Sequence, residues 1–251
     1  MTINLLFTKS KRLPPQFKTH RCDTSVVRAQ KPVALFDLDN TLIQGSSLYL
    51  LLRGLVHLGE ISRKQLIRFA LHHYKFLRTK TENRTHLSLI TQRGLELIKG
   101  YSQSNLMISC EKIVSNFILP RVNPLTLAEV QYHQKSGIDT WVVTAAPTDL
   151  ATLLARHMGM TGAIGTEMRT QEGRYSGELV DGLFHGPKKA AGIRVLANKN
   201  GYNLRESFAY SDSINDLPLL LTVGKPCVVN ANAELLRIAR KNAWRELSAA
   251  G

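Results

Sequence analysis

Two acidic clusters stand far apart in this chain of 251 residues, each directly behind a short apolar run. Asp37-Leu38-Asp39-Asn40-Thr41 follows Val33-Ala34-Leu35-Phe36, and Ser211-Asp212-Ser213-Ile214-Asn215-Asp216 follows Phe208-Ala209-Tyr210. Apolar runs that stop abruptly at polar residues read as buried parallel strands, and ligands of open α/β sheets collect at the carboxyl ends of such strands. Carboxylates crowded there repel one another unless a hard cation neutralises them. An oxygen-only set with few protein ligands suits Mg²⁺, completed by water and by a phosphate of the substrate.

The elements that must position these residues follow from periodicity. Residues 46–119 have a helical period: Leu48, Leu51, Leu52, Leu55 and Val56 trace one face, as do Leu66, Ile67, Ala70 and Leu71, and later Leu87, Ile90, Leu95 and Ile98. This reads as a helical insert. Asn123-Pro124 closes it, a helix follows to about Lys135, Gly137 stops that helix, and Thr140-Trp141-Val142-Val143 is a second buried strand. A helix is expected from Pro147 to Met158 with Thr148 as its cap, then a short strand at Ala163-Ile164-Gly165-Thr166 and a β-hairpin from Met168 to Leu179. Lys188 to Asn200 reads as a helix ended by Gly201, with further strands at Phe208-Ala209-Tyr210 and Cys227-Val228-Val229. Strands alternating with helices predict a parallel sheet covered on both faces.

Asp37-x-Asp39-x-Thr41, Thr144 behind a buried strand, Lys189 opening a helix, and Asp212-x-x-x-Asp216 resemble, in this order, the four motifs of the haloacid dehalogenase-like (HAD) hydrolases. The likeness covers about residues 33–232. The run Ser211 to Pro218, together with a helical insert after the first motif, resembles subfamily IB, the phosphoserine-phosphatase-like branch. The resemblance implies a Rossmann-like three-layer α/β/α core with a mainly parallel sheet, formed by residues 32–44 and 122–251. An inserted helical cap of the C1 type, residues 45–121, would close over the strand ends and choose the substrate. It implies Mg²⁺ held by Asp212, the Asp37 carboxylate and the Asp39 backbone carbonyl, with Thr41 and Asp216 in support, and Lys189 holding phosphate and Asp37 together. Lys188 is the alternative by one position.

The chemistry can also be argued from the residues themselves. Carboxylates at i and i+2 face the same side of a strand, so Asp37 and Asp39 can approach one phosphoryl group. A carboxylate beside Mg²⁺ stays ionised and can attack phosphorus, which makes Asp37 the nucleophile and an aspartyl-phosphate the intermediate. Asp39 is then free to protonate the leaving alkoxide and deprotonate the hydrolytic water. The Thr144 hydroxyl, with backbone N–H groups of Ala145 or Ala146 at a helix start, can neutralise the phosphoryl oxygens. The expected reaction is Mg²⁺-dependent hydrolysis of a small phosphorylated metabolite. Phosphoserine is the first candidate by resemblance, but phosphoserine phosphatases usually carry a glutamate shortly after the first motif, whereas Leu42 to Ser47 contains no acid, which argues against phosphoserine and leaves histidinol phosphate or another small phosphomonoester open.

The formal charge of +14 is unevenly spread. Residues 1–31 hold seven Lys/Arg against Asp23 alone, residues 45–125 hold twelve against four acids, and the remainder balances. The excess lies in a flexible basic N-terminal extension, residues 1–31, and in the insert. No RNA-recognition, zinc-finger or basic-zipper signature accompanies it, so nucleic-acid binding with secondary catalysis is the minor alternative. The other alternative is a phosphatase of lipid headgroups such as phosphatidylglycerophosphate, with the basic cap and the apolar Leu48–Leu58 stretch touching an anionic membrane. Cys22, Cys110 and Cys227 are odd in number and far apart, which suggests neither a disulfide framework nor a zinc site and favours a reducing, cytoplasmic setting. His57, His72, His73 and His86 are read as surface residues of the insert rather than metal ligands. Nothing in the sequence fixes an oligomeric state.

Overall fold

The computed structural model describes residues 30–64, 67 and 84–248. The basic extension up to residue 29, and Leu66, Ala70, Leu71, His72 and His73 in the insert, lie outside the described residues, as do the side chains of His86, Leu87 and Ile90.

Val33–Phe36 (β1) is fully buried along its length and forms the middle of the sheet. Its neighbours are Asp139–Pro147 (β2) on one side and Phe208–Ser211 (β6) on the other, both parallel to it. Gly162–Thr166 (β3) extends the sheet beyond β2, and Lys225–Val229 (β7) and Arg245–Leu247 (β8) extend it beyond β6. The order is β3-β2-β1-β6-β7-β8 and every pairing is parallel. Met168–Gln171 (β4) and Arg174–Leu179 (β5) form the separate antiparallel hairpin read from the sequence.

The alternation of β1 divides the core between two helical layers. Ala34 and Phe36 pack with residues of Ser47–His57 (α1), Gln103–Ile113 (α3), Pro124–Lys135 (α4) and Thr148–His157 (α5). Val33 and Leu35 pack with Pro187–Asn200 (α6), Leu217–Leu220 (α7) and Ala233–Lys241 (α8). A sheet between two helical layers is the expected α/β arrangement. Asp37, two residues beyond Leu35, continues the second face, the face that α6 covers. Gly201 ends α6 in the left-handed region, φ 70°, as a helix C-terminus favours.

Between the first strand and residue 122 the chain is helical: α1, then Arg84–Ile98 (α2), then α3, which runs into a π-helical turn at Val114–Ile118 and a 3₁₀ turn at Leu119–Arg121. Gly54 lets α1 and α3 approach closely, since a Cβ there would lie 2.5 Å from Ile113 Cγ1. Leu50, Leu51, Leu52 and Leu55 are buried in this packing. The apolar stretch that suggested membrane contact is therefore turned largely inward. Ile67, by contrast, is exposed. No helix among the described residues is long and apolar enough to cross a membrane.

Three readings need correction. β2 runs on to Pro147, so Ala145 and Ala146 are strand residues rather than the start of a helix. Thr148 is the first residue of α5, not its cap; Pro147 stands at the cap position, without a capping hydrogen bond. β8 and α8 complete the fold although neither was expected: β8 is a short, mostly exposed edge strand with no apolar run, and α8 buries only Leu235 and Ala239.

Candidate active site

The carboxyl ends of β1, β2 and β6 open on a cavity of about 200 Å³ lined by Asp37, Asp39, Asn40, Thr144, Ala145, His185, Lys189, Asp212, Ser213, Asn215 and Asp216. Asp37 leaves β1 with its N–H held by Tyr210 O at 2.9 Å, which extends the β1–β6 ladder by one bond. Lys189, in the first turn of α6, places Nζ 2.5 Å from Asp37 Oδ1 and 2.9 Å from Asp216 Oδ2. All three residues are buried. Of the two lysines the sequence offered, Lys189 enters the site, whereas Lys188 does not line it.

Asp216 stands at the N-cap position of α7, but its side chain makes no capping hydrogen bond there. Its Oδ2 also accepts from Ser211 Oγ at 2.8 Å, so it links β6 to Lys189. Asp212 exchanges two hydrogen bonds with Thr41: its N–H donates to Thr41 Oγ1 at 3.0 Å, and the same hydroxyl donates to its Oδ1 at 3.3 Å. The Thr41 carbonyl is held in turn by Asn123 Nδ2 and Thr126 Oγ1 from the start of α4. Asn40 bends the first motif away from the strand direction with φ 55°, a region asparagine tolerates. Asp39 Oδ1 accepts from the Ser47 N–H at 2.8 Å. The Thr144 hydroxyl accepts from the Ala146 N–H at 3.0 Å, which engages that N–H within the protein.

Charge is unbalanced here. Burial pushes the Asp37 carboxyl well above the ordinary carboxylate range, against the pull of Lys189 and with the push of Asp216. Burial likewise raises Asp39, against the hydrogen bonds from Ser47, and takes Asp212 to about 6. Burial opposes the charge on Lys189, but Asp37 and Asp216 outweigh it and hold the ammonium protonated. Four carboxylates thus gather around the Lys189 ammonium, and a further cation would relieve the excess. The donors suited to it are the Asp37 and Asp212 carboxylates. Among the described residues no group of three or more His, Cys, Asp or Glu side chains is arranged to hold a metal. Two carboxylates, oxygen donors both, suit a small hard cation.

The sequence pattern of the haloacid dehalogenase-like hydrolases matches residues 34–221. The chain belongs to this family. It is 37% identical over 227 residues to a hydrolase of Mycobacterium leprae, covering 88% of this chain and 76% of that protein. To the phosphoserine phosphatase SerB1 of Mycobacterium tuberculosis it is 36% identical over 211 residues, 84% of this chain and 68% of that one. To a histidinol-phosphatase of Neisseria meningitidis it is 30% identical over 227 residues, 87% and 99% of the two chains. A crystal structure of a protein of unknown function from Bordetella pertussis Tohama I superposes with TM-score 0.77 at 26% identity, over 87% of this chain and 98% of that one. A phosphoserine phosphatase carrying a phospho-aspartyl intermediate analogue shares the fold, with TM-score 0.58 at 15% identity over 87% and 93% of the two chains. This HAD hydrolase is a phosphatase of the phosphoserine-phosphatase-like kind.

Within the HAD fold, Asp37, Asp39, Thr144, Ala145, Lys189, Asp212 and Asp216 all line one cavity, and Thr41 stands behind it on Asp212. Sequence reasoning missed Asn40, His185, Ser213 and Asn215 as lining residues, and Ser47 as the donor to Asp39. Asn40, Ser213 and Asn215 sit inside the motifs and were legible by adjacency. His185 lies just before Gly186-Pro187, where only a loop was visible. Among the insert histidines, His57 packs its ring edge-on against Phe117 at 5.4 Å between centroids, away from the cavity.

Proposed function

We propose that the chain is a Mg²⁺-dependent phosphomonoesterase that hydrolyses a small phosphorylated metabolite through an aspartyl-phosphate. The observation that carries this reading is the buried Lys189 ammonium bridging Asp37 and Asp216 in the wall of a cavity that Thr144 and Asp212 also line. Mg²⁺ would be held by the Asp37 and Asp212 carboxylates with the Asp39 carbonyl, and when bound it supplies positive charge for the phosphate and keeps the neighbouring carboxylates ionised.

Asp37 attacks phosphorus as the ester P–O bond breaks, and Asp39 gives its proton to the departing oxygen. Water then attacks the aspartyl-phosphate, Asp39 takes up the proton of that water, and inorganic phosphate leaves with Asp37 restored. Lys189 holds Asp37 in line and neutralises phosphoryl charge, the electrostatic help on which this reaction chiefly depends. The Thr144 hydroxyl lies on the same wall to donate to a phosphoryl oxygen.

The helical segment 45–121 would act as the cap that selects the substrate, in a cytoplasmic setting that keeps the buried Cys110 and Cys227 as thiols. Leu42 and Ile43 are buried, Ser46 caps α1 and Ser47 serves Asp39, so this stretch offers a substrate ammonium no carboxylate. Phosphoserine and histidinol phosphate, the substrates in the names of two relatives, both carry an ammonium, so this stretch does not choose between them and the substrate is proposed only as a small phosphomonoester. Phosphate release should be screened over some tens of phosphorylated metabolites with Mg²⁺, using Asp37→Asn as the blank. Turnover that survives in that variant, or that ignores chelation of the metal, would refute the mechanism.

A further inference from the structure

Asp39 is served by the first turn of the inserted helices. Ser47 is the first residue of α1, and its backbone N–H donates to Asp39 Oδ1 at 2.8 Å. The first N–H groups of a helix have no partner inside it, and a carboxylate is their favoured acceptor. Capping does not explain the serine, because Ser46 performs that task by accepting from the Tyr49 N–H. Ser47 is fully buried, so its N–H is held beside Asp39 away from bulk solvent.

The loop fixes the distance between Asp39 and α1. The Asn40 N–H donates to Gly45 O and the Gly45 N–H donates to Asn40 Oδ1, both at 3.2 Å. The chain entering the insert is tied to the chain leaving it through Gln44 N–H to Arg121 O and Asn123 N–H to Leu42 O, both at 2.8 Å. The seating of α1 and the aim of the Asp39 carboxyl are thereby one mechanical unit.

Building on the phosphatase reading above, we propose that Ser47 is a positioning residue whose N–H aims Asp39 at the leaving oxygen, coupling proton transfer to the seating of α1 on the core. The affected step is the first one: the bond from Asp37 to phosphorus forms, the ester P–O bond breaks, and the Asp39 proton goes to the departing oxygen. An alkoxide needs that proton. A p-nitrophenolate, its charge spread over the ring, departs without it.

The test is the ratio of kcat/KM for an alkyl phosphate to kcat/KM for p-nitrophenyl phosphate, with the alkyl ester being whichever of histidinol phosphate, phosphoserine and glycerol 2-phosphate is turned over fastest. Ser47→Pro removes the N–H at a helix position that accepts proline, behind a residue already extended at φ −95°, ψ 124°. Should that chain not fold, replacing Ser47 by its α-hydroxy acid removes the same N–H by turning one amide into an ester. The ratio should fall by about tenfold to a hundredfold, because loss of aim lowers only the acid-assisted reaction. Ser47→Ala, which keeps the N–H, should retain the wild-type ratio.

An unchanged ratio in the variant lacking the N–H, equal losses on both esters, or the same drop in Ser47→Ala would overturn the assignment. Wild-type protein that releases phosphate from neither class of ester would instead defeat the phosphatase reading, and this one with it.

Discussion

Carboxylates paired with cations on the flanks of the sheet and carboxylates in the cavity are in opposite condition. Asp139, which opens β2, receives Lys31 Nζ at 2.7 Å and Tyr202 OH at 2.6 Å. Glu129 on α4 receives Arg245, which opens β8, through both guanidinium nitrogens at 2.7 and 2.6 Å, and Tyr210 OH at 2.9 Å. Burial works against both charges, but the hydrogen bonds and the cations overcome it and hold both carboxyls below their ordinary range. In the cavity, burial wins instead and Asp37, Asp39 and Asp212 are raised. A lowered carboxyl has its compensation built into the fold. A raised one in a cavity is short of positive charge, which on the proposed reading a metal would supply.

The sharpest way to break the contrast is at its centre. Asp37→Asn should lower phosphate release by at least about 10³-fold, since the amide cannot form the covalent intermediate. Lys189→Met should cost on the order of 10² in kcat and destabilise the metal-free protein by about 3 kcal/mol at neutral pH, because it strands two buried carboxylates. Urea titration measures the second effect, and a variant as stable as wild type would contradict the charge bookkeeping.

The metal supplies a gentler test. Asp212 has its carboxyl raised to about 6, and a metal ligand must be deprotonated, so binding competes with the proton below that pH. Calorimetry should show Mg²⁺ releasing protons as the pH falls through about 6, with Kd rising by up to about tenfold per pH unit for each ligand carboxyl that titrates, Asp37 included. A Kd independent of pH between 5 and 8 would exclude Asp212 as a ligand.

The smallest effect belongs to a carboxylate whose cation is built in. A carboxyl whose folded pKa is lowered contributes stability above its unfolded pKa and loses it as pH falls through the folded value. Glu129→Gln should therefore be less stable than wild type at neutral pH, by under about 1 kcal/mol given its partial exposure to solvent. The two proteins should converge under strong acid, and a gap that persists there would assign the loss to packing instead.

Much of the fold was legible because its signals are local. β1 announces itself by four apolar residues cut off at Asp37, and α6 by Pro187 at its start and Gly201 at its end. β8 was not legible: three residues, Arg245, Glu246 and Leu247, carry no pattern, and only the exposed edge of β7 makes them a strand. Thr148 reads as a cap in any helix-start pattern, yet the bulged end of β2 carries the chain past it.

The residue types at Asp37, Asp39, Thr144, Lys189, Asp212 and Asp216 determined the available chemistry, since carboxylates, a hydroxyl and an ammonium are what phosphoryl transfer requires. Sequence order alone determined that they follow strands and open helices. The choice of Lys189 over Lys188, the diversion of the Asp216 side chain to Lys189 instead of a helix end, and the delivery of the Ser47 N–H to Asp39 were decided only by the tertiary structure. The physical reason is range. Periodicity and capping act over a few residues, whereas the contact between Asp37 and Lys189 spans 152 positions and forms only when the parallel sheet sets β1 beneath the start of α6.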